Sequence, residues 1–256
     1  MGSAPVPVAP SFSLRGRVAL VTGSSRGIGR SAAFALGRAG AAVVFHGSRQ
    51  SAALDKALED ARAEGIDARC AVGDIGDSAA VARICAECAA ADILVLNASV
   101  QSYGRLAEFG DAEFERMANA NVRSTFQFIQ ALGPCMAERG WGRIVAIGSV
   151  NQSHPAPRLA IYASTKAAMR AVVLTAAKEY AARGVTVNTV TPGVIATDRN
   201  AAALSDKAFA DALLSMIPAG RFGCAADCAG PILMLASDAA SYITGADIVV
   251  DGGMTL

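Results

Sequence analysis

Short runs of β-branched and aliphatic residues alternate along the chain with longer Ala-rich stretches of helical spacing. The apolar runs predict strands over Arg17–Thr22, Ala41–His46, Asp67–Val72, Asp92–Leu96, Arg143–Ile147, Val185–Val190 and Asp247–Val250. They are apolar at nearly every position and do not alternate, as expected of strands covered on both faces. Between them the pattern predicts helices over Gly27–Arg38, Ser51–Glu64, Ser78–Ala90, Asp111–Glu138, Ile161–Ala182 and Ala225–Ala236. Gly40, Gly65, Gly140 and Gly184 follow four of these, where a left-handed residue stops a helix. This rhythm implies an α/β fold with a mainly parallel sheet and helices on both faces. Right-handed crossovers make it doubly wound. No linker or internal repeat divides the chain, so one domain is expected over residues 14–256, behind a loose tail at residues 1–13. The stretch from Val194 to Ile217 breaks the rhythm after a strand. It is a candidate substrate lid, with an ordinary packing helix as the alternative.

Composition removes several function classes. With 53% hydrophobic and 18% charged residues over 256 positions, the chain has enough apolar material for a large core. The net charge of +1 provides no global field for nucleic acid or an anionic membrane. No apolar run approaches the roughly 18 residues of a membrane span. The opening MGSAPVPVAP lacks the basic and apolar regions of a secretory signal and reads as a tail or an expression remnant. The six cysteines are scattered, which points to reduced thiols in a cytoplasmic protein. Cys85-x-x-Cys88 is expected to be a buried thiol pair. No metal site is expected, because His46 and His154 are the only histidines and no acid cluster accompanies them.

Candidate chemistry starts after the first strand. Thr22-Gly23-Ser24-Ser25-Arg26-Gly27-Ile28-Gly29 joins it to the first helix. Glycines there let the backbone approach a pyrophosphate at a helix N-terminus, which predicts a dinucleotide held by Gly23, Ser25, Arg26, Gly27, Ile28 and Gly29. An NAD site wants an acid at the end of the second strand, about 20 residues on. This strand instead ends Phe45-His46-Gly47-Ser48-Arg49, with no acid before Asp55. Arg49, Ser48 and Arg26, beside His46, suit a 2′-phosphate, so NADP(H) is expected over NAD(H). Asp74-Ile75 follows the third strand. Asp74 can accept from an adenine amino group while Ile75 packs on the ring, or Asp74 is a plain turn residue.

The fifth strand ends Gly148-Ser149, placing a hydroxyl at the carboxyl edge of the sheet. Thirteen residues later, Tyr162-Ala163-Ser164-Thr165-Lys166 opens a helix. Tyr162 and Lys166 at i, i+4 share one helix face. A phenol titrates near 10, and lowering it by about 3 units takes roughly 4 kcal/mol. Lys166 and an oxidised nicotinamide together are the expected source.

These motifs resemble the short-chain dehydrogenase/reductase family, from about Leu14 to Met254. The resemblance rests on Thr22–Gly29, Asp74, Asn97-Ala98, Asn121, Ser149, Tyr162-x-x-x-Lys166, Asn188, Pro192-Gly193 and Asp251-Gly252-Gly253, in that order. It implies a Rossmann-type sheet of seven parallel strands and a homotetramer. Its dimer contacts would run through the Asp111–Glu138 and Ile161–Ala182 helices. It also implies roles. Tyr162 is general acid or base, and Ser149 hydrogen-bonds the substrate oxygen. Lys166 holds the nicotinamide ribose and lowers the Tyr162 pKa, and Asn121 anchors a proton-relaying water. Asn97, Ala98 and Ser99 flank the cofactor, and Pro192, Gly193, Ile195 and Thr197 cradle its nicotinamide and phosphates. Two departures stand out. Leu96-Asn97-Ala98-Ser99 replaces the usual Asn-Asn-Ala-Gly, putting a Cβ next to the cofactor. Ala225-Ala226 replaces a frequent Pro-Glu at a helix start.

The segment between Ser149 and Tyr162 is expected to line the substrate pocket. Asn151, Gln152 and His154 suit the hydroxyls of a sugar or polyol, and the segment resembles glucose-dehydrogenase-like members. The chain also resembles 3-oxoacyl-acyl-carrier-protein reductases through Ser48-Arg49 and Gly220–Gly223. Arg183 matches one arginine that such enzymes use to dock an acyl carrier protein. The other position is Gly140 here, beside Arg139. The expected function is an NADP(H)-dependent ketone/secondary-alcohol oxidoreductase, 3-oxoacyl-reductase-like or, alternatively, a sugar/polyol dehydrogenase. A non-catalytic NADP-binding regulator on this fold is the alternative of another class.

Overall fold

A computed structural model describes residues 11–256; residues 1–10 of the expected tail lie outside the described residues. Ser11 is tied down through its carbonyl, which accepts from the Ala239 N–H, and Leu14 is buried.

Seven strands form one sheet: β1 Val18–Val21, β2 Ala42–Gly47, β3 Ala68–Val72, β4 Ile93–Leu96, β5 Gly142–Ile147, β6 Val185–Pro192 and β7 Asp247–Val250. Their order is β3-β2-β1-β4-β5-β6-β7, and every neighbouring pair is parallel. Each expected strand is present, with no end displaced by more than two residues. β6 runs on to Pro192, so it carries the Pro192-Gly193 turn directly into the cleft.

The uninterrupted apolar runs have a simple cause. Ala19 and Val21 of β1 pack into one core while Leu20 faces the other. Ile93 and Val95 of β4 divide in the same way from Leu94 and Leu96. Helices α1 (Gly27–Arg38), α2 (Ala52–Ala63) and α9 (Ala225–Ala236) supply the first core. Helices α3 (Ser78–Glu87), α5 (Ser124–Glu138) and α6 (Ala160–Tyr180) supply the second. Removing that much apolar surface from water is the main stabilising contribution, roughly 25 cal/mol per Å².

Gly40, Gly65, Gly140 and Gly184 take φ of +104, +77, +70 and +76, the left-handed conformation expected of helix stops. The predicted helix Asp111–Glu138 is not continuous. α4 (Asp111–Ala118) gives way to one π turn over Asn119–Arg123 before α5 begins. A π turn inserts a residue into the i→i−4 ladder, which periodicity over so long a segment does not reveal. The missing Pro at the start of α9 is compensated. Asp227 reaches back to the Cys224 N–H, at 2.7 Å, and pairs with Arg221.

Chain order reverses between β1 and β4, so a crevice opens at the carboxyl ends of these strands. The segment after β6 folds as two short helices over it, α7 (Asp198–Leu204) and α8 (Lys207–Ser215). Cys85 and Cys88 are buried free thiols, and burial pushes Cys85 up to about 12. Among the described residues no helix is long and apolar enough to cross a membrane, and no group of His, Cys, Asp or Glu is placed to hold a metal.

Candidate active site

One cleft of about 1250 Å³ runs along the carboxyl edge of the sheet, from the glycine loop to α8. At one end the main chain turns between β1 and α1 with Gly23 at φ +65 and Gly27 at φ +57, values a Cβ would strain. The loop is pinned from three sides. Asn97 Nδ2 donates to the carbonyls of Thr22 (2.9 Å) and Gly23 (3.0 Å). Thr22 Oγ1 accepts from the N–H groups of Asn97 and Ala98. His46, at the end of β2, takes the Gly23 N–H on Nδ1 at 3.0 Å.

Gly23, Ser25, Arg26, Gly27 and Ile28 line the cleft, as do His46, Ser48, Asp74, Ile75, Asn97, Ala98 and Ser99. Pro192, Gly193, Ile195 and Thr197 close its other wall. Two expected contacts fall outside. Gly29 lies behind the loop, where a Cβ would come within 2.4 Å of both Gly23 O and Asn97 Nδ2; its smallness lets α1 pack against the loop. Arg49 is outside the lining, at an exposed bend one residue beyond Ser48, which does line the cleft. Arg26 faces Asp198 across 3.8 Å with both side chains largely exposed. Asp74 lines the cleft and accepts from the Gly76 N–H in a tight turn, the plainer of the two roles expected of it.

In mid-cleft β5 delivers Ser149 and α6 delivers Tyr162 and Lys166. Gly148 precedes Ser149 because a Cβ there would lie 2.7 Å from the Gln152 and Thr191 side-chain oxygens. Ser149 Oγ accepts from the Asn151 N–H and from Asn151 Nδ2, both at 3.2 Å, and its hydroxyl favours the ionised form of the Tyr162 phenol. One turn along α6, Lys166 is 2% exposed and donates from Nζ to the Ile147 carbonyl at 2.7 Å.

The expectation that Lys166 lowers the Tyr162 pKa needs correction for the protein alone. Burial is the largest influence on Tyr162 and pushes the phenol up; Arg199 and then Ser149 work against it. Lys166 is itself pushed down to about 7, first by burial and then by Arg199, so its ammonium is only partly charged near neutrality.

Asn121 sits in the π turn and does not line the cleft. Its Oδ1 accepts from the Val100 N–H (2.8 Å), while Nδ2 donates to the Val100 carbonyl (2.9 Å) and Thr165 Oγ1 (3.0 Å). The side chain thus clamps the loop after β4 to α6 and has no donor left for a water. Its main-chain carbonyl accepts from Thr125 Oγ1 and keeps a second lone pair for a further donor.

Of the three expected substrate contacts, Asn151 and His154 line the cleft. Asn151 is largely committed to Ser149 and to the Ala156 N–H. Gln152 is a correction: its amide is turned towards β6 and β7, donating to Thr191 Oγ1 (2.9 Å) and Asp247 Oδ2 (2.7 Å). A 3₁₀ turn over Val150–Gln152 reverses the side-chain direction that an extended loop would have had.

Sequence reasoning missed Arg199, although it belongs to the polar start Thr197–Asn200 of the candidate lid. Its Nη1 donates to Ser99 Oγ (2.9 Å) and its Nη2 to the Ser99 carbonyl (2.8 Å). Ser99 therefore fits without backbone strain: among the described non-glycine residues only Arg158 has a positive φ. Leu204, Phe209, Leu213 and Met216 of α7 and α8 line the outer end of the cleft.

With this fold and site, the chain belongs to the short-chain dehydrogenase/reductase family of oxidoreductases acting on CH–OH and C=O groups. A family model described as enoyl-(acyl carrier protein) reductase matches residues 23–255. The chain is 38% identical to the gluconate 5-dehydrogenase of Gluconobacter oxydans, covering 96% of this chain and 97% of the relative. It is 37% identical to a 3-oxoacyl-acyl-carrier-protein reductase of Staphylococcus aureus, over 92% and 97%. A crystal structure of a gluconate 5-dehydrogenase from Burkholderia cenocepacia, in complex with NADP and tartrate, superposes with a TM-score of 0.91. It is 36% identical, over 96% of this chain and 98% of that one.

Proposed function

We infer that this chain interconverts a ketone and a secondary alcohol with NADP(H), and that the substrate is a small polyhydroxylated molecule of the sugar-acid or polyol kind. The observation that carries the reading is the convergence of Ser149, Tyr162 and Lys166 in the middle of a cleft whose one end is a strained, pinned glycine loop. That loop fits a dinucleotide: its positive-φ glycines let a phosphate come close to the main chain, and no acid ends β2. Gly23, Ser25, Arg26, Gly27, Ile28 and Ser48 would hold its phosphates. Asp74 and Ile75 would hold its adenine, and Lys166, Pro192, Gly193, Ile195 and Thr197 its nicotinamide end. The Burkholderia relative holds NADP. When bound, the dinucleotide supplies or accepts the hydride.

The chain's own residues handle the oxygen. Ser149 Oγ accepts twice from Asn151, so its own hydrogen is left to donate, to the Tyr162 oxygen or to a substrate oxygen on which it stabilises developing charge. The Tyr162 hydroxyl gives its proton to that oxygen in reduction and removes it in oxidation. Charge on Arg199 favours the phenolate that this cycle passes through.

The polar wall of Asn151, Ser153 and His154 supports a hydroxylated substrate. Relatives named for gluconate and for 2-dehydro-3-deoxy-D-gluconate agree with it. A 3-oxoacyl substrate is the second reading, favoured by the apolar Leu204, Phe209, Leu213 and Met216 at the outer end. The arginine pair expected to dock an acyl carrier protein supports it less. Arg139 faces Asp92 and donates to the Ala89 and Ala91 carbonyls, a structural duty. A homotetramer in the cytoplasm completes the proposal. An apolar groove over Ala118, Val122, Phe126 and Val172 lies on the helices expected to form its contacts.

The test is a paired thermal-shift titration with NADPH and NADH, followed by turnover on hydroxy acids, polyols and 3-oxoacyl thioesters. A shift with NADPH and turnover of hydroxy acids or polyols supports the reading. Preference for NADH, or turnover of thioesters alone, replaces it. A cofactor shift with no turnover on any carbonyl favours the non-catalytic regulator.

A further inference from the structure

The substrate end of the cleft has positive charge that nothing nearby neutralises. Among the described residues lining it between Ser99 and Tyr103, between Ser149 and Leu159, and between Leu204 and Met216, there is no Asp or Glu, while Arg158 is present. The two acids that do line the cleft are used elsewhere. Asp74 makes its turn beyond β3, and Asp198 faces Arg26.

Arg199 adds to this charge at the reacting centre. Both of its terminal nitrogens are anchored on Ser99, a hundred residues away in sequence, by bonds to the hydroxyl and the main-chain carbonyl. The anchor fixes the exposed guanidinium on the wall of the cleft that Tyr162 also lines, and its charge acts on the phenol. None of the ion pairs among the described residues includes Arg199. An exposed guanidinium with no ion-pair partner, fixed on the cleft wall, is a ready counter-charge for an anionic ligand. Two of its five N–H donors go to Ser99, and the planar fork suits a carboxylate.

We propose that Arg199 selects a carboxylate-bearing substrate, taking the carboxylate of a small hydroxy or keto acid while Ser149 and Tyr162 hold the oxygen that is oxidised or reduced. The assignment rests on the hydroxylated-substrate reading above and narrows it to acids. It also gives the departure at Ser99 a purpose: its hydroxyl is one of the two anchors, which a glycine would lack. The positive field that Arg199 exerts on Lys166 is then balanced in the substrate complex.

The experiment is equilibrium binding to the full chain saturated with NADPH, a combination that cannot turn over an alcohol. Gluconate and gluconamide differ only in the charged end. Each is titrated by NADPH fluorescence and by thermal shift, at low and high salt. The expected result is that gluconate binds about tenfold or more tighter than gluconamide, with the advantage shrinking in salt. Arg199→Met brings the two affinities together, and Arg199→Lys restores part of the difference. Ser99→Gly narrows it to a lesser degree. Arg199 is exposed on a short helix, so melting temperatures of the variants report that they fold. Equal binding of the two ligands by the wild type, or discrimination that persists in Arg199→Met, overturns the assignment. So does a weakening of NADPH alone, which would give the cation to the dinucleotide phosphates. The wider reading fails separately, by gluconate discrimination without turnover of any hydroxy acid or polyol.

Discussion

His46 Nδ1 accepts the main-chain N–H of Gly23 across 3.0 Å, while the opposite ring nitrogen faces the Gly73 carbonyl at 2.9 Å. A carbonyl only accepts, so Nε2 carries the hydrogen and the ring is neutral. The ring is 1% exposed, and burial pushes its pKa below the usual histidine value. Protonation would place a hydrogen on Nδ1 facing another donor and release the glycine loop. Between the depressed native pKa and the ordinary value near 6.5, the unfolded chain binds the extra proton. The ring's contribution is therefore complete above about 6.5 and is lost as pH falls below it. Melting temperature and NADPH affinity should decline together between about pH 7 and 5.5. In His46→Asn, whose amide oxygen accepts from Gly23 without titrating, both curves should flatten. Identical pH profiles for the two proteins would remove His46 from the loop's control.

Lys166 has the opposite neighbourhood from a surface lysine. Its pKa falls from 10.5 to about 7, burial first and Arg199 second. Between those values the unfolded chain is protonated and the native chain is not, so this group makes stability rise with pH across that interval. Below about 7 both states are protonated and its effect is flat. Chemical denaturation from pH 6.5 to 9.5 should show that rise in the wild type and not in Lys166→Met. A common slope in both proteins would contradict the assignment.

Tyr162→Phe removes one hydroxyl from a packed position. Ser149 and Arg199 act on the hydroxyl, and the ring stays in its apolar cluster with Met117, Leu159 and Ile161. Turnover should fall by about 10²–10⁴-fold, the usual worth of a positioned acid–base group. Melting temperature and the NADPH-induced shift should change little. A loss of less than tenfold would give the proton transfer to another group.

Gly29→Ala tests the loop from behind. The new methyl carbon meets Gly23 O and Asn97 Nδ2 at 2.4 Å, and both belong to the hydrogen bonds that hold the loop. Overpacking of this kind costs about 1–3 kcal/mol. The melting temperature should drop by several degrees and NADPH affinity should fall with it. A stable variant with normal cofactor affinity would show that the loop relaxes freely.

The sequence by itself determined whatever depends on neighbours along the chain. Apolar runs, glycine stops and the spacing of Tyr162 and Lys166 are local, so strands, helices and the mid-cleft trio were readable in order. Only the tertiary structure decided directions and distant partners. Gln152 turns to Thr191 and Asp247, residues 39 and 95 positions away, because a 3₁₀ turn rotates it off the cleft. Arg49 lies outside the cleft lining at a bend, and Asn121 spends its amide on Val100 and Thr165 once a π turn has placed it between them. Arg199 reaches Ser99 because β4 and β6 both end at the crevice and α7 folds back over it. Spacing within a helix is set by the 1.5 Å rise of its own residues. A contact across a hundred residues exists only after the whole sheet has been assembled.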